Sequence, residues 1–144
     1  MLGVAAALFI LLTEATNIVV IDVSGAGCED AVADAEQAEG CEITGGDQHS
    51  FALVPIAILT AAMAVGAGLV GSRPAGAALV GAGVVVLAIA LLGDLPDTTK
   101  TGEIGSSFTS ASAEKGPGFW LEVAGGGLAL AAGLLRLLWR PRPG

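Results

Sequence analysis

The chain has no tyrosine, few aromatic residues and a single histidine, and its six lysines and arginines stand against fourteen aspartates and glutamates. A surface that tracks a nucleic-acid backbone needs a basic stripe, so a formal net charge of −8 excludes nucleic acid as a partner. Residues 24–50 go further. They hold seven acids (Glu29, Asp30, Asp34, Glu36, Glu39, Glu42 and Asp47) and no Lys or Arg. Charge of either sign is scarce overall, at 14% of residues against 53% hydrophobic. A soluble domain of this length needs a charged surface over its apolar core. Here the apolar residues are gathered in long blocks and the charges lie between them, the pattern of a chain solvated by lipid.

Catalytic motifs are missing as well. The one histidine, His49, has no supporting Ser-His-Asp pattern, and there is no glycine-rich phosphate loop, no G-x-S-x-G and no H-E-x-x-H. The seven acids of residues 24–50 lack the alternating D-x-[DN]-x-[DN]-G spacing of a calcium loop. A zinc site from Cys28, Cys41 and His49 matches no defensible spacing. The expectation is a non-enzymatic protein with no cofactor and no metal.

Four apolar blocks are present, at about residues 2–20, 51–71, 75–92 and 119–139. Crossing about 30 Å of hydrocarbon takes about 20 apolar residues in a helix. The last three blocks meet or approach that length, and none has a charge in its central part. The predicted fold is therefore an all-α membrane protein: one domain over residues 1–144, a bundle of four transmembrane helices with external loops at 21–50 and 93–118. Orientation follows from the positive charges. Arg73 in the turn between the second and third blocks, and Arg136, Arg140 and Arg142 at the end of the fourth, belong on the cytoplasmic side. Both termini then lie inside and both long loops outside, in a plasma (inner) membrane. Trp120 and Trp139 are nineteen residues apart, roughly 28 Å along a helix, which places one indole at each interface.

Block one also has some features of a leader. No basic region precedes it, and Glu14, Asn17 and Asp22 interrupt the stretch where cleavage should follow. A retained span is expected. The missing basic flank also leaves open a start upstream of Met1, which native protein beginning at Met1 would argue against.

Glycine and alanine are abundant, and such residues spaced four apart let helices approach closely in lipid. Candidate packing stripes are Ala62 and Gly66 in block two, Ala77 and Gly81 in block three, and Gly125, Ala129 and Gly133 in block four. They serve either the bundle itself or a dimer.

The cysteines, Cys28 and Cys41, both fall in the first long loop. An even count in an external loop favours a structural disulfide closing 14 residues, worth roughly 3 kcal/mol on the chain-entropy model. A catalytic redox pair would be closely spaced, as in C-x-x-C. Glu14 and Glu122 are the other candidates, because an acid within a spanning segment is costly and is retained for a reason. Both lie near the outer ends of their blocks. If the first and last helices are neighbours, the two carboxylates could form a layer with Thr13, Thr16 and Asn17 that holds a cation or shares a proton. The alternative is that one merely caps a helix end. Residues 93–118, rich in Gly, Ser and Thr, read as a mobile linker or extended hairpin that Ile104 and Phe108 dock onto the first loop.

Two resemblances follow from these features. The order of span, two-cysteine loop, span, short turn, span, loop, span resembles the claudin-like tetraspan layout, without that family's tryptophan motif in the first loop. The stretch Gly116-Pro117-Gly118-Phe119-Trp120-Leu121, with a Gly/Ala-rich helix and Arg-rich tail after it, resembles small uncharacterised four-span membrane proteins of actinobacteria, a group to which no activity is attached. The absence of catalytic constellations leads to the expectation of an accessory, assembly or envelope-associated subunit acting through its helix faces and external loops. Its partners are the lipid bilayer and another membrane protein, or a second copy of the chain. A small cation or proton transporter using Glu14 and Glu122 is the alternative, and a membrane thiol redox protein a second one.

Overall fold

A computed structural model describes residues 1–23, 26–32 and 38–138 of the chain. Four long helices form a bundle: α1 (Leu2–Thr13), α2 (Leu53–Leu69), α3 (Arg73–Ala88) and α4 (Pro117–Leu138). Helix α4 packs along both α1 and α3, and α2 packs along the same two, so α2 and α4 sit on one diagonal. Local chemistry explains several ends. Ser72 caps α3, its hydroxyl accepting from the Ala75 N–H, and Pro74 follows in the first turn, where a missing N–H costs nothing. Pro117 opens α4 for the same reason.

One end of the bundle carries a four-stranded antiparallel sheet, so the all-α expectation is corrected. Its strands are β1 (Asn17–Val23), β2 (Ala26–Gly27), β3 (Glu42–Thr44) and β4 (Ala111–Lys115). Strand β1 is central. Along one edge it pairs with β4, Val19 opposite Lys115 through Val23 opposite Ala111. Along the other it pairs first with β3 and then with β2. The predicted bounds of the first span, residues 2–20, are therefore corrected: the helix stops at Thr13 and the chain turns into β1. Residues 17–23 read Asn-Ile-Val-Val-Ile-Asp-Val, and their β-branched side chains pack better on a pleated sheet than on a helix. Residues 93–118 are likewise more than a linker, since they hold a short helix (Gly102–Ser107) and β4.

Beneath the sheet lies a water-type core. Ile18, Val19, Ile21 and Val23 pack with Ile104 and Phe119 and with the disulfide between Cys28 and Cys41, whose Cα atoms are 5.6 Å apart. Ile104 is buried and Phe108 partly so, which docks the second long segment on the first. The stretch between the cysteines at 33–37 lies outside the described residues.

The bundle has the opposite character. Leu8, Ile58, Leu59, Val65, Val84 and Leu135 are all about half exposed, while Thr60 and Glu122 are fully buried. Helix contacts rely on small residues. A Cβ at Gly125 would stand 2.8 Å from the Ile10 side chain and 3.2 Å from the Ala6 carbonyl, so only glycine lets α1 and α4 approach this closely. Ala129 and Gly133 continue that buried stripe. On the other helices the predicted stripes lie mostly outside the bundle interior. Ala62, Ala77 and Gly81 point outward and Gly66 is half-buried, whereas Ala57, Thr60 and Ala67 of α2 and Gly76, Leu79 and Gly83 of α3 face inward. Spacing of four marks two possible stripes on a Gly/Ala-rich helix, and here the neighbours chose the other one.

Two helical stretches, the one beginning at Arg73 and Pro117–Leu138, are long and apolar enough to cross a membrane. Helices α1 and α2, at 12 and 17 residues, are shorter. They span about 18 and 26 Å.

Candidate functional site

Where the bundle meets the sheet, ionisable side chains from four separate elements converge in the interior. Glu14 ends α1, His49 ends a short helix (Gly45–His49), Asp94 ends a widened turn after α3, and Glu122 lies in the second turn of α4. Glu14 is 5% exposed, Asp94 1% and Glu122 0%. Burial of this kind is costly for carboxylates unless each has a partner.

Each element has a local reason for its position. Gly45 and Gly46 donate to the Thr16 and Glu14 carbonyls, at 3.1 and 2.9 Å, which clamps the short helix onto the end of α1. A Cβ at Gly45 would lie 2.3 Å from the Thr13 carbonyl oxygen, so no other residue fits there. Thr44 caps this helix through the Asp47 N–H. Beyond His49 the chain passes through two consecutive left-handed residues, Ser50 (φ 52°) and Phe51 (φ 61°). Each costs of order 1–3 kcal/mol for a residue with a side chain, and such strain gathers at functional sites.

Asp94 owes its direction to Pro96. A proline cannot donate to the carbonyl four residues back, and its ring clashes there. The helix beyond Ala88 accordingly widens over Ile89–Asp94, and Leu95 N–H reaches back five residues to the Ala90 carbonyl. A single wide turn of this kind re-aims the side chains that follow it and recurs at functional sites. Outside the cluster, Gln48 donates to Asp97 at 2.9 Å and ties the element bearing His49 to the element bearing Asp94. The Lys100 ammonium also binds Asp97, at 2.5 Å. Contacts with Lys100 and Gln48 hold the Asp97 carboxyl below its ordinary pKa.

Within the cluster, His49 Nε2 lies 3.3 Å from Asp94 Oδ2 and 3.9 Å from Glu122 Oε2. Glu14 Oε1 accepts from the Leu53 N–H at 2.7 Å, so this carboxylate caps the start of α2, where the helix dipole favours a negative charge. Its other oxygen makes no well-aligned hydrogen bond. Neither do His49 Nε2, Asp94 Oδ2 and both Glu122 oxygens, all of them buried. The donor atoms of His49, Asp94 and Glu122 all lie within 4.8 Å of one another.

The other residues singled out by sequence lie elsewhere. The Thr13 hydroxyl donates to the Phe9 carbonyl at 3.0 Å, and the Thr16 hydroxyl to the Leu12 carbonyl at 2.9 Å. Asn17 donates to Glu42 at 2.5 Å on the sheet. The donors of all three are thus committed to these partners rather than to Glu14 or Glu122. Trp120 is 59% exposed at the start of α4, its ring edge-on to Phe119 at 5.3 Å. Arg73 is exposed at the start of α3, and Arg136, in the last turn of α4, donates to the Gly71 carbonyl at the end of the bundle away from the sheet. Trp139, Arg140 and Arg142 lie outside the described residues.

His49 and Asp94 were missed as partners of the two glutamates. His49 reads as an interface marker in sequence and Asp94 as one of several loop acids. The available signal was Asp94-Leu95-Pro96, a proline two residues after an acid at the end of an apolar run. Comparison with known proteins finds no matching family model, no similar curated protein and no similar solved structure.

Proposed function

We propose that the chain is a non-enzymatic, multi-pass membrane protein. In this reading all four helices lie in the bilayer and the sheet forms an external cap held by the disulfide. Its role is that of an accessory, assembly or envelope-associated subunit, acting through the cap and the helix faces. One observation carries the membrane reading: apolar side chains half exposed on all four helices surround an interior that holds Thr60 and Glu122. In water so many half-exposed apolar side chains on every helix would be out of place, whereas in lipid they are the expected arrangement. The shorter α1 and α2 fit the reading because the turns and cap residues after Thr13 and before Leu53 complete the thickness at that end. Arg73 and Arg136 at the far end and the acidic loop beside the sheet support both termini lying inside.

The membrane reading is tested in intact cells. A cysteine placed at the exposed Ser106 (Ser106→Cys) is expected to react with an impermeant maleimide, and a tag on the C-terminus to stay unreachable until the cells are permeabilised. The reverse pattern, or a polypeptide that stays dissolved without detergent, refutes it. The accessory role predicts a stable partner or homo-oligomer in mild detergent, and a strictly monomeric particle with nothing co-purifying overturns that role.

The cluster of His49 and the three acids favours a second reading, cation or proton handling. It supports binding rather than passage, since Ile10, Leu53, Ala57 and Val86 pack together in the bundle interior. Flux in proteoliposomes that exceeds empty vesicles decides for a transporter. A redox role has less support, because both cysteines are paired and buried.

A further inference from the structure

We propose that His49, Asp94 and Glu122 form a binding site for one divalent transition-metal ion of the zinc class, contrary to the expectation from sequence. The site does not depend on how the bundle is oriented in lipid.

The argument begins with unmet bonding capacity. Five buried donor or acceptor atoms of four residues (Glu14 Oε2, His49 Nε2, Asp94 Oδ2 and both oxygens of Glu122) make no well-aligned hydrogen bond, although His49 Nε2 and Asp94 Oδ2 approach each other to 3.3 Å. One proton shared between two of these groups bridges two atoms at most and leaves the others as they are. A metal ion engages one atom from each of His49, Asp94 and Glu122 at once. Nitrogen and oxygen ligands sit about 2.0–2.2 Å from zinc, which in a tetrahedron puts them roughly 3.4 Å from each other. The His49–Asp94 separation of 3.3 Å matches that value, and 3.9 Å to Glu122 closes with a small side-chain rotation.

Charge points the same way. Glu14, Asp94 and Glu122 bring three carboxylates around one imidazole, with no Lys or Arg bonded to any of them among the described residues. A dication compensates most of that charge without requiring the imidazole to be protonated. The ligand types select the class of ion. Calcium takes six to eight oxygens and magnesium keeps most of its waters, whereas an imidazole with two carboxylates suits zinc and its neighbours. Three protein ligands leave a fourth position open to water. The surrounding bonds are those of a built site. Gln48–Asp97 joins the His49 and Asp94 elements, Gly45 and Gly46 fix the short helix against Glu14, and the wide turn aims Asp94.

The test uses the full chain in mild detergent, stripped with a chelator, desalted, and titrated with Zn²⁺ and separately with Co²⁺. The expected result is one ion per chain by elemental analysis and a visible Co²⁺ spectrum of tetrahedral type. X-ray absorption should show nitrogen and oxygen ligands with one imidazole and no sulfur. His49→Ala and Asp94→Asn each remove a ligand and should weaken zinc by more than about 100-fold, beyond what loss of a partner behind a ligand costs. Glu42→Gln, on the exposed acidic surface, should leave it unchanged. The wild-type spectra keep the proposal falsifiable even if a variant fails to fold. Absence of stoichiometric binding by folded wild type overturns it, as does sulfur ligation, displacement of zinc by millimolar Ca²⁺ or Mg²⁺, or affinity that survives both substitutions.

Discussion

Glu122→Met is expected to stabilise the metal-free protein. Glu122 is fully buried in α4, and neither of its oxygens has a hydrogen-bond partner. A buried polar group without a partner costs about 1–3 kcal/mol. The negative charges of Asp94 and Glu14 nearby add repulsion whenever Glu122 is ionised. Methionine has nearly the same volume and shape and no polar atom, so it fills the space without a new cavity. Replacing a whole buried ionic set by apolar groups has been neutral or stabilising by about 1–4 kcal/mol; here only one of three acids is removed, and His49 keeps Asp94 as its partner at 3.3 Å, so no buried cation is left unpaired. A gain of about 2 kcal/mol is therefore expected, roughly a 30-fold shift in the unfolding equilibrium. The assay is thermal or denaturant unfolding in detergent, in the presence of a chelator, followed by far-UV circular dichroism. With saturating Zn²⁺ the order should invert, because the wild type gains binding energy that the variant lacks. If Glu122→Met is instead less stable than wild type in the chelator, Glu122 makes a favourable interaction within the apoprotein, and the account of its unmet bonding capacity is wrong.

Three further outcomes are expected. Removing the disulfide by Cys28→Ser with Cys41→Ser should cost about 3 kcal/mol through the freed 14-residue loop. Hydrogen exchange should speed up at β1 and β3 well before it does in α3 and α4. Gly45→Ala should cost about 1–3 kcal/mol in thermal unfolding, because its Cβ would sit 2.3 Å from the Thr13 carbonyl oxygen and must push the short helix off α1. Because contacts with Lys100 and Gln48 lower the Asp97 pKa, their contribution is fully present above the ordinary carboxylate range. It is lost as pH falls through the lowered folded value, and Asp97→Asn should remove that part of the acid dependence of unfolding.

Much of the helical architecture was legible because lipid-length apolar blocks, Ser72-Arg73-Pro74 and Pro117 mark helices and their starts by simple rules. The disulfide was legible from two cysteines in one acidic segment. The sheet was hidden because an apolar run has no period that separates a strand from a helix. Only the β-branched density of Ile18-Val19-Val20-Ile21 distinguished them, and its partner β4 is a short, weakly alternating stretch, Ala111–Lys115, far along the chain. Half of the cluster was visible as two glutamates inside apolar blocks. The other half was not, because His49 reaches it through a glycine clamp and Asp94 through a widened helical turn. Both devices are backbone geometry, which a residue pattern does not display.

The central place of β1 has a consequence for how the molecule is made. Its partner β4 begins at Ala111, 88 residues after β1 ends at Val23. At about 5–20 residues per second of synthesis, one edge of β1 stays unsatisfied for roughly 5–20 s. During that interval its row of free amides and carbonyls is a template for any other extended segment. Until the last strand arrives, pairing of that edge with a second nascent copy competes with completion of the sheet.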